Sequence, residues 1–242
     1  MTLTQRISLW SCPRTVSTAL MRSFAQREDT FCVDEPFYAH YLARTGKAHP
    51  MREAVLAAQS SDWREVVRSL LLGPCAKPVQ FVKHMAHHLV GEMDLSFAAS
   101  TRNVFLLRPP REMLPSMLRD LGEVRLGDVG YERQRELYHQ LRRAGQDPIV
   151  IESTDLLNDP EGSLRRLCAR LGLAFDRAML SWPPGRHPSY GVWAPYWYGN
   201  VENTAGFQPF TPKSEPFPEE LEPLLAVAEN CWLDLHARRL RA

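Results

Sequence analysis

The chain has 242 residues, 44% of them hydrophobic and 24% charged, with 29 basic against 28 acidic side chains for a formal charge of +1. That composition excludes a disordered or fibrous chain, and the balanced charge argues against broad electrostatic binding to nucleic acid or anionic membrane. The five cysteines are scattered, with no C-x-x-C pair, and read as reduced thiols rather than a zinc or redox motif.

The opening residues lack the basic-then-apolar layout of a secretory signal, and no run approaches the ~18 apolar residues of a membrane span, so cytoplasmic residence without membrane insertion is expected. The length fits one domain over 1–242. Short apolar runs at 7–11, 31–33, 79–82, 104–107 and 149–151 alternate with segments of helical period. That pattern predicts an α/β fold of three layers, a central, mostly parallel sheet flanked by helices.

The first run feeds Cys12, Pro13, Arg14, Thr15, Val16, Ser17 and Thr18, and then a helical stretch with Leu20 and Phe24. A strand that turns through a loop into a helix start makes an anion site, because unsatisfied N–H groups and the helix dipole point at the loop. Arg14, Ser17 and Thr18 supply side-chain donors, although Ser17 or Thr18 could equally cap the helix. The loop has neither G-x-x-x-x-G-K-[ST] nor G-x-G-x-x-G, and Thr18 stands where a cysteine phosphatase loop starting at Cys12 would carry arginine.

After the second run, Glu35 at a strand end is a candidate base or helix cap. After the third, Lys83, His84, His87 and His88 bring a cation and three imidazoles to the same expected edge. The histidines could ligate a metal by spacing, but no companion motif completes such a site, and no metal is assigned. After the fourth run, Arg108 at a strand end and Ser116 on the following helix can converge on a second anion at the carboxyl edge of the sheet. Arg111 reads as a solvated charge. Leu164, Leu167, Cys168 and Leu171 mark a helix with Asp159 as cap, Pro160 in first position and Gly172 as stop. Segment 181–218 is aperiodic, rich in proline and aromatics. Leu221, Leu224, Leu225, Ala228, Trp232 and Leu235 then predict a docking helix over 219–240, with Arg238, Arg239 and Arg241 solvated at its end.

Pro13, Arg14, Ser17 and Thr18 match in type and spacing the loop that holds the 5′-phosphosulfate in the PAPS-dependent sulfotransferases, whose bacterial form reads roughly Pro-Arg-Ser-Gly-Thr-Thr. Val16 stands where that family usually has glycine. Arg108 and Ser116 resemble the family's 3′-phosphate pair, and the stretch from Glu152 through Asp159-Pro160 to Leu171-Gly172-Leu173 is similar to its scaffold turn and helix. The glycine-rich segment that covers the nucleotide in cytosolic animal enzymes is absent; the stretch from Trp193 to Asn200 occupies its place.

The resemblance implies a P-loop-NTPase-like fold and transfer of a sulfuryl group from 3′-phosphoadenosine 5′-phosphosulfate (PAPS), without a required metal, to a hydroxyl or amine of a small molecule, glycan or lipid. It implies donor binding by Pro13, Arg14, Thr15, Val16, Ser17, Thr18, Arg108 and Ser116. Arg14 would stabilise the leaving phosphate, with Lys83 beside the reaction centre. His87 is the favoured base, ahead of His84 and Glu35. A P-loop-like kinase or phosphotransferase, and a non-catalytic nucleotide-binding protein of the same fold, stay open as other readings. A homodimer is allowed and no nucleic-acid partner is expected.

Overall fold

Each of the five apolar runs becomes a strand: β1 Gln5–Ser11, β2 Thr30–Asp34, β3 Val79–Met85, β4 Arg102–Leu107 and β5 Ile149–Glu152. The computed structural model describes residues 4–212 and 214–241. The leader-less reading of Met1, Thr2 and Leu3, and Lys213 within 181–218, therefore lie outside the described residues. The strands form one sheet in the order β2-β3-β1-β4-β5, and every pairing is parallel. All five carboxyl ends therefore meet along one edge.

Alternation along the strands sends side chains to two faces. Ile7 and Leu9 of β1 pack with helices α1 (Ser17–Phe24), α2 (Tyr38–Thr45) and, further along the chain, the helix from Pro160 to Leu171. Trp10 faces the other way, against Leu137 and Tyr138 of a helix spanning Tyr131–Arg143 and Leu235 of one spanning Glu222–His236. With Pro110–Leu121 as α3, these three later helices are α4 (Tyr131–Arg143), α5 (Pro160–Leu171) and α6 (Glu222–His236). The result is the expected three-layer α/β fold.

Two helices show how closely local chemistry sets the ends. Asp159 accepts a hydrogen bond from Gly162 N at 2.9 Å, Pro160 opens α5, and Gly172 closes it at φ 74°. The predicted docking helix is a 3₁₀ turn, Glu219–Leu221, followed by α6, and it stops at His236 rather than 240. Beyond it Leu240 N bonds Val150 O on β5 at 2.8 Å, and Arg239 pairs with Asp155 at 3.0 Å. Arg239 is thus an anchor for the tail, which differs from the solvated charge expected.

From the aperiodic stretch 181–218, Gly191 and Tyr198 reach Asp34 and Glu35 at the carboxyl edge. Ser181 bridges Gly206, and two single turns, Ala194–Trp197 and Gly199–Glu202, carry Trp193 and Tyr198 into the core that also holds Leu9 and Phe81. Its irregularity is that of a cover shaped to what lies beneath. Among the described residues no helix is long and apolar enough to cross a membrane.

Candidate active site

Between β1 and α1 the backbone takes left-handed values at Arg14 (φ 57°) and Val16 (φ 59°). A β-branched residue there costs of order 1–3 kcal/mol, so the loop holds its shape against a local penalty. Val16 adopts the conformation that glycine would allow, and the departure from the resembled motif leaves the left-handed turn in place. The Thr15 hydroxyl donates to Cys12 O at 2.8 Å inside the loop. Val16, at the N-cap position, makes no side-chain cap. Ser17 and Thr18 therefore sit within the first turn of α1 rather than capping it, and the N–H groups of that turn are open to an anion.

The second predicted anion site meets the first directly. Arg108 Nη1 donates to Arg14 O at 2.6 Å, and Tyr131 OH donates to Arg108 O at 2.7 Å, which fixes the end of β4. Arg14 Nε donates to Ser116 Oγ at 3.3 Å and lies 3.2 Å from Asp120 Oδ2, both on α3. Its guanidinium thus reaches from the loop to α3, between the two predicted anion sites. Burial lowers the pKa of Arg108, with Glu112 opposing. Arg111 faces Glu222 and Glu229 at 3.8 and 4.0 Å, away from these groups, as a surface charge.

Beneath the cover lies a buried ionic cluster. Lys83, 1% exposed, reaches Asp34 Oδ1 at 2.9 Å, Glu35 Oε1 at 2.8 Å and Thr18 Oγ1 at 3.3 Å. Tyr198 OH accepts from Lys83 and from Trp193 Nε1, and faces Asp34 Oδ2 at 2.9 Å and Glu35 Oε1 at 3.0 Å, where its single proton can be donated. Gly191 N donates to Asp34 Oδ2 at 3.1 Å. Burial pulls the Lys83 pKa down, but Asp34 and Glu35 outweigh it and hold the ammonium above its ordinary value. Burial pushes the Glu35 carboxyl up, with the Lys83 charge opposing. Neither Asp34 nor Tyr198 stood out in the sequence. Asp34 neighbours Glu35 and could have been weighed with it, whereas Tyr198 lies in a stretch with no period to read.

The histidines separate. Register in β3 sends Lys83 toward α1 and His84 to the opposite face, where it stacks on Trp10 at 4.1 Å and faces Phe37 at 5.5 Å. His84 is therefore corrected from candidate base to core residue, and it cannot join His87 and His88 around one metal. His87 and His88 follow in a 3₁₀ turn, Ala86–His88, and line the cavity. Burial depresses all three: His84 and His87 to about 3, His87 also through His49 and Lys47, and His88 well below its ordinary value.

Buried neutral histidines make a stability prediction. A base whose folded pKa is depressed stabilises the native state above its unfolded value of about 6.5, and that stability is lost as pH falls toward the folded value. The unfolded chain binds the extra protons, so each such histidine is expected to cost up to about 2 kcal/mol at pH 5 relative to neutrality. Glu35 and Glu152, both raised by burial, give the opposite slope, while His49 and His187, each lowered to about 4 by burial, act in the same direction as the three. Urea midpoints should fall clearly between pH 7.5 and 5; a flat profile would show that the imidazoles are not held neutral.

One cavity of about 550 Å³ joins these groups. Pro13, Arg14, Thr15, Val16, Ser17, Thr18, Glu35, Lys83, His87, Arg108 and Ser116 all line it, so of the residues singled out for the site only His84 stands apart. The far wall comes from Tyr38, Tyr41, His49, His88 and Trp197. The chemistry on offer is anion binding by N–H groups and guanidinium, next to a raised carboxyl.

Five parallel strands in one sheet between two helical layers, with an arginine-bearing loop after the central strand, define the fold. Solved structures share it: the sulfotransferase domain from the curacin biosynthetic pathway (TM-score 0.56, 16% identity, 95% of this chain and 99% of that one) and a sulfotransferase from Alicyclobacillus acidocaldarius (0.56, 14%, 98% of each). At these identities the likeness is one of fold. A family profile described as a sulfotransferase domain matches residues 5–238, and the chain belongs to that family. It is also 36% identical over 210 residues to branched-chain-amino-acid aminotransferase-like protein 1 of Arabidopsis thaliana, covering 87% of this chain but 37% of the plant protein. The name of that relative describes a protein of which this chain spans little more than a third.

Proposed function

We propose that this chain moves a sulfuryl group from PAPS to an acceptor hydroxyl or amine. One observation carries the reading: the β1–α1 loop and the Arg108–Ser116 element touch each other through Arg14 and open into one cavity, as a ligand with two anionic ends requires. The loop N–H groups and Arg14 would hold the 5′-phosphosulfate, and Arg108 with Ser116 the 3′-phosphate. As the bond from sulfur to the 5′-phosphate oxygen breaks, charge grows on that oxygen, and a preorganised guanidinium stabilises it more than the ground state. The sulfuryl group carries less charge than a nucleotide γ-phosphate, so the chemistry does not demand Mg²⁺.

For the acceptor proton, the geometry supports Glu35 over His87. Lys83 and Tyr198 engage Oε1 and leave Oε2, 3.9 Å from His88 Nε2. Lys83 also reaches Thr18 in the first turn of α1, which supports a role for this carboxylate near the sulfuryl end of a donor held by the loop. A carboxyl raised by burial is the stronger base, whereas an imidazole pushed to about 3 is a weak one. Glu35→Gln should lower turnover more than 100-fold with PAP affinity retained; if His87→Ala alone does this, the imidazole is the base.

Asp120 competes with a donor phosphate for Arg14. The pair is partly exposed and worth about 0.5–1 kcal/mol, so Asp120→Asn is expected to tighten PAP binding by about 2- to 5-fold. Titration calorimetry with PAP, AMP and ATP, with and without Mg²⁺, tests the reading as a whole. PAP should bind tightest, independently of metal. Preference for Mg²⁺-ATP would instead favour a kinase, and PAP binding without turnover of PAPS on any acceptor a non-catalytic protein.

A further inference from the structure

We propose that Gln134 and Tyr131, in the first turn of α4, are positioning residues for the donor: they set the separation of the two elements that would hold its phosphate ends. The inference rests on the sulfuryl-transfer reading and adds to it two residues that would not touch the donor, since neither lines the cavity.

The two elements leave the sheet as a fork. β1 and β4 run paired as far as Ser11 opposite Leu106, where the ladder stops. One arm goes on as Cys12, Pro13 and Arg14, the other as Arg108, Pro109 and α3. A ligand with two anionic ends is held by both arms at once only when their spacing matches its own, so whatever fixes the fork also sets how much the second end adds to the first.

Gln134 ties the base of that fork. Its amide nitrogen carries two hydrogens and donates to Trp10 O on β1 at 2.8 Å and to Leu106 O on β4 at 3.1 Å. Its amide oxygen accepts from Cys12 Sγ, the first residue of the 5′ arm, at 3.2 Å. Three positions earlier, and therefore on the same face of α4, Tyr131 OH donates to the carbonyl of Arg108, the first residue of the 3′ arm, at 2.7 Å. The place of this turn is itself fixed. Gly130 precedes it at φ 82°, and a Cβ there would stand 3.1 Å from His87 N, so the helix starts hard against the residues that follow β3.

Both side chains are buried, Gln134 at 0% and Tyr131 at 1% exposed, and water does not compete for their bonds. The arms also meet through Arg108 Nη1 and Arg14 O at 2.6 Å, but those two residues line the cavity and are the ones a donor would engage. The α4 pair holds the spacing from behind, before any donor arrives, which is the preorganisation that a two-ended ligand rewards.

The test compares three ligands by calorimetry, with saturation-transfer NMR for weak binding: PAP, adenosine 5′-monophosphate for the β1–α1 loop, and adenosine 3′-monophosphate for the Arg108–Ser116 element. Gln134→Met keeps a similar length and removes the amide. Tyr131→Phe removes one hydroxyl and carries the test if the first variant does not fold. The expected result is a loss of PAP affinity of about 10-fold or more with each monophosphate held within about threefold, because each end still finds its own site and only their linkage suffers. Arg108→Ala is the contrast, losing PAP and the 3′-monophosphate together. A lower urea midpoint with PAP affinity unchanged, or equal losses for all three ligands, would show a merely structural role and overturn the inference, while a wild-type preference for PAP leaves sulfuryl transfer standing. A loss shared by PAP and only one monophosphate overturns it too, since it assigns the pair to the support of a single arm. Wild-type protein that binds PAP no more tightly than the monophosphates overturns the sulfuryl-transfer reading and this inference with it.

Discussion

Arg108→Ala is expected to weaken PAP binding by about 10- to 150-fold while AMP binding changes little. The side chain follows β4 at the cavity, and it donates a short hydrogen bond to the Arg14 carbonyl, a neutral acceptor. Glu112 lies at 3.9 Å, close enough to offset some charge but beyond a short hydrogen bond. Because burial already disfavours this cation, a phosphate reaching it forms a charge-assisted contact where water competes poorly, worth about 1.5–3 kcal/mol. The same substitution also removes a strut of the β1–α1 loop, which would weaken every nucleotide alike. AMP separates the two effects: an equal loss for PAP and AMP would assign Arg108 to the loop's support and not to a 3′-phosphate.

The second large effect concerns stability. Lys83→Met should destabilise the fold by about 3–5 kcal/mol, because it leaves Asp34 and Glu35 buried without their counter-ion. Methionine has a similar length, so packing around Tyr198 and Thr18 is largely kept. The deficit should depend on pH with a definite sign. Without the ammonium that opposes the effect of burial, Glu35 titrates higher in the folded state than in the unfolded one. A raised folded pKa gives stability that is present at low pH and lost as pH rises through it. The variant should therefore lie closer to wild type at pH 5 than at pH 8 by urea titration. A deficit under about 1 kcal/mol, or one that does not vary with pH, would show that the cluster is not a buried ionic one.

Much of this site was legible along the chain because a parallel sheet turns sequence order into spatial coincidence. Every strand delivers the residues after it to the same edge, so the loop after β1, Glu35 after β2, His87 after β3 and Arg108 after β4 were bound to gather once five buried runs were recognised. The limits of α5 were equally local, since Asp159, Pro160 and Gly172 act within a turn of the helix ends they set. Other features depended on contacts between distant segments. The face taken by Lys83 or His84 follows from the register of β3 against β1, and a shift of one residue would exchange them. Tyr198 meets Asp34 across 164 positions, from a stretch with no hydrophobic period, so nothing near it in the chain announces the contact. The neutrality of the histidines was hidden for the same reason: an imidazole's composition is fixed by the sequence, but its pKa is set by how much water the surrounding packing removes.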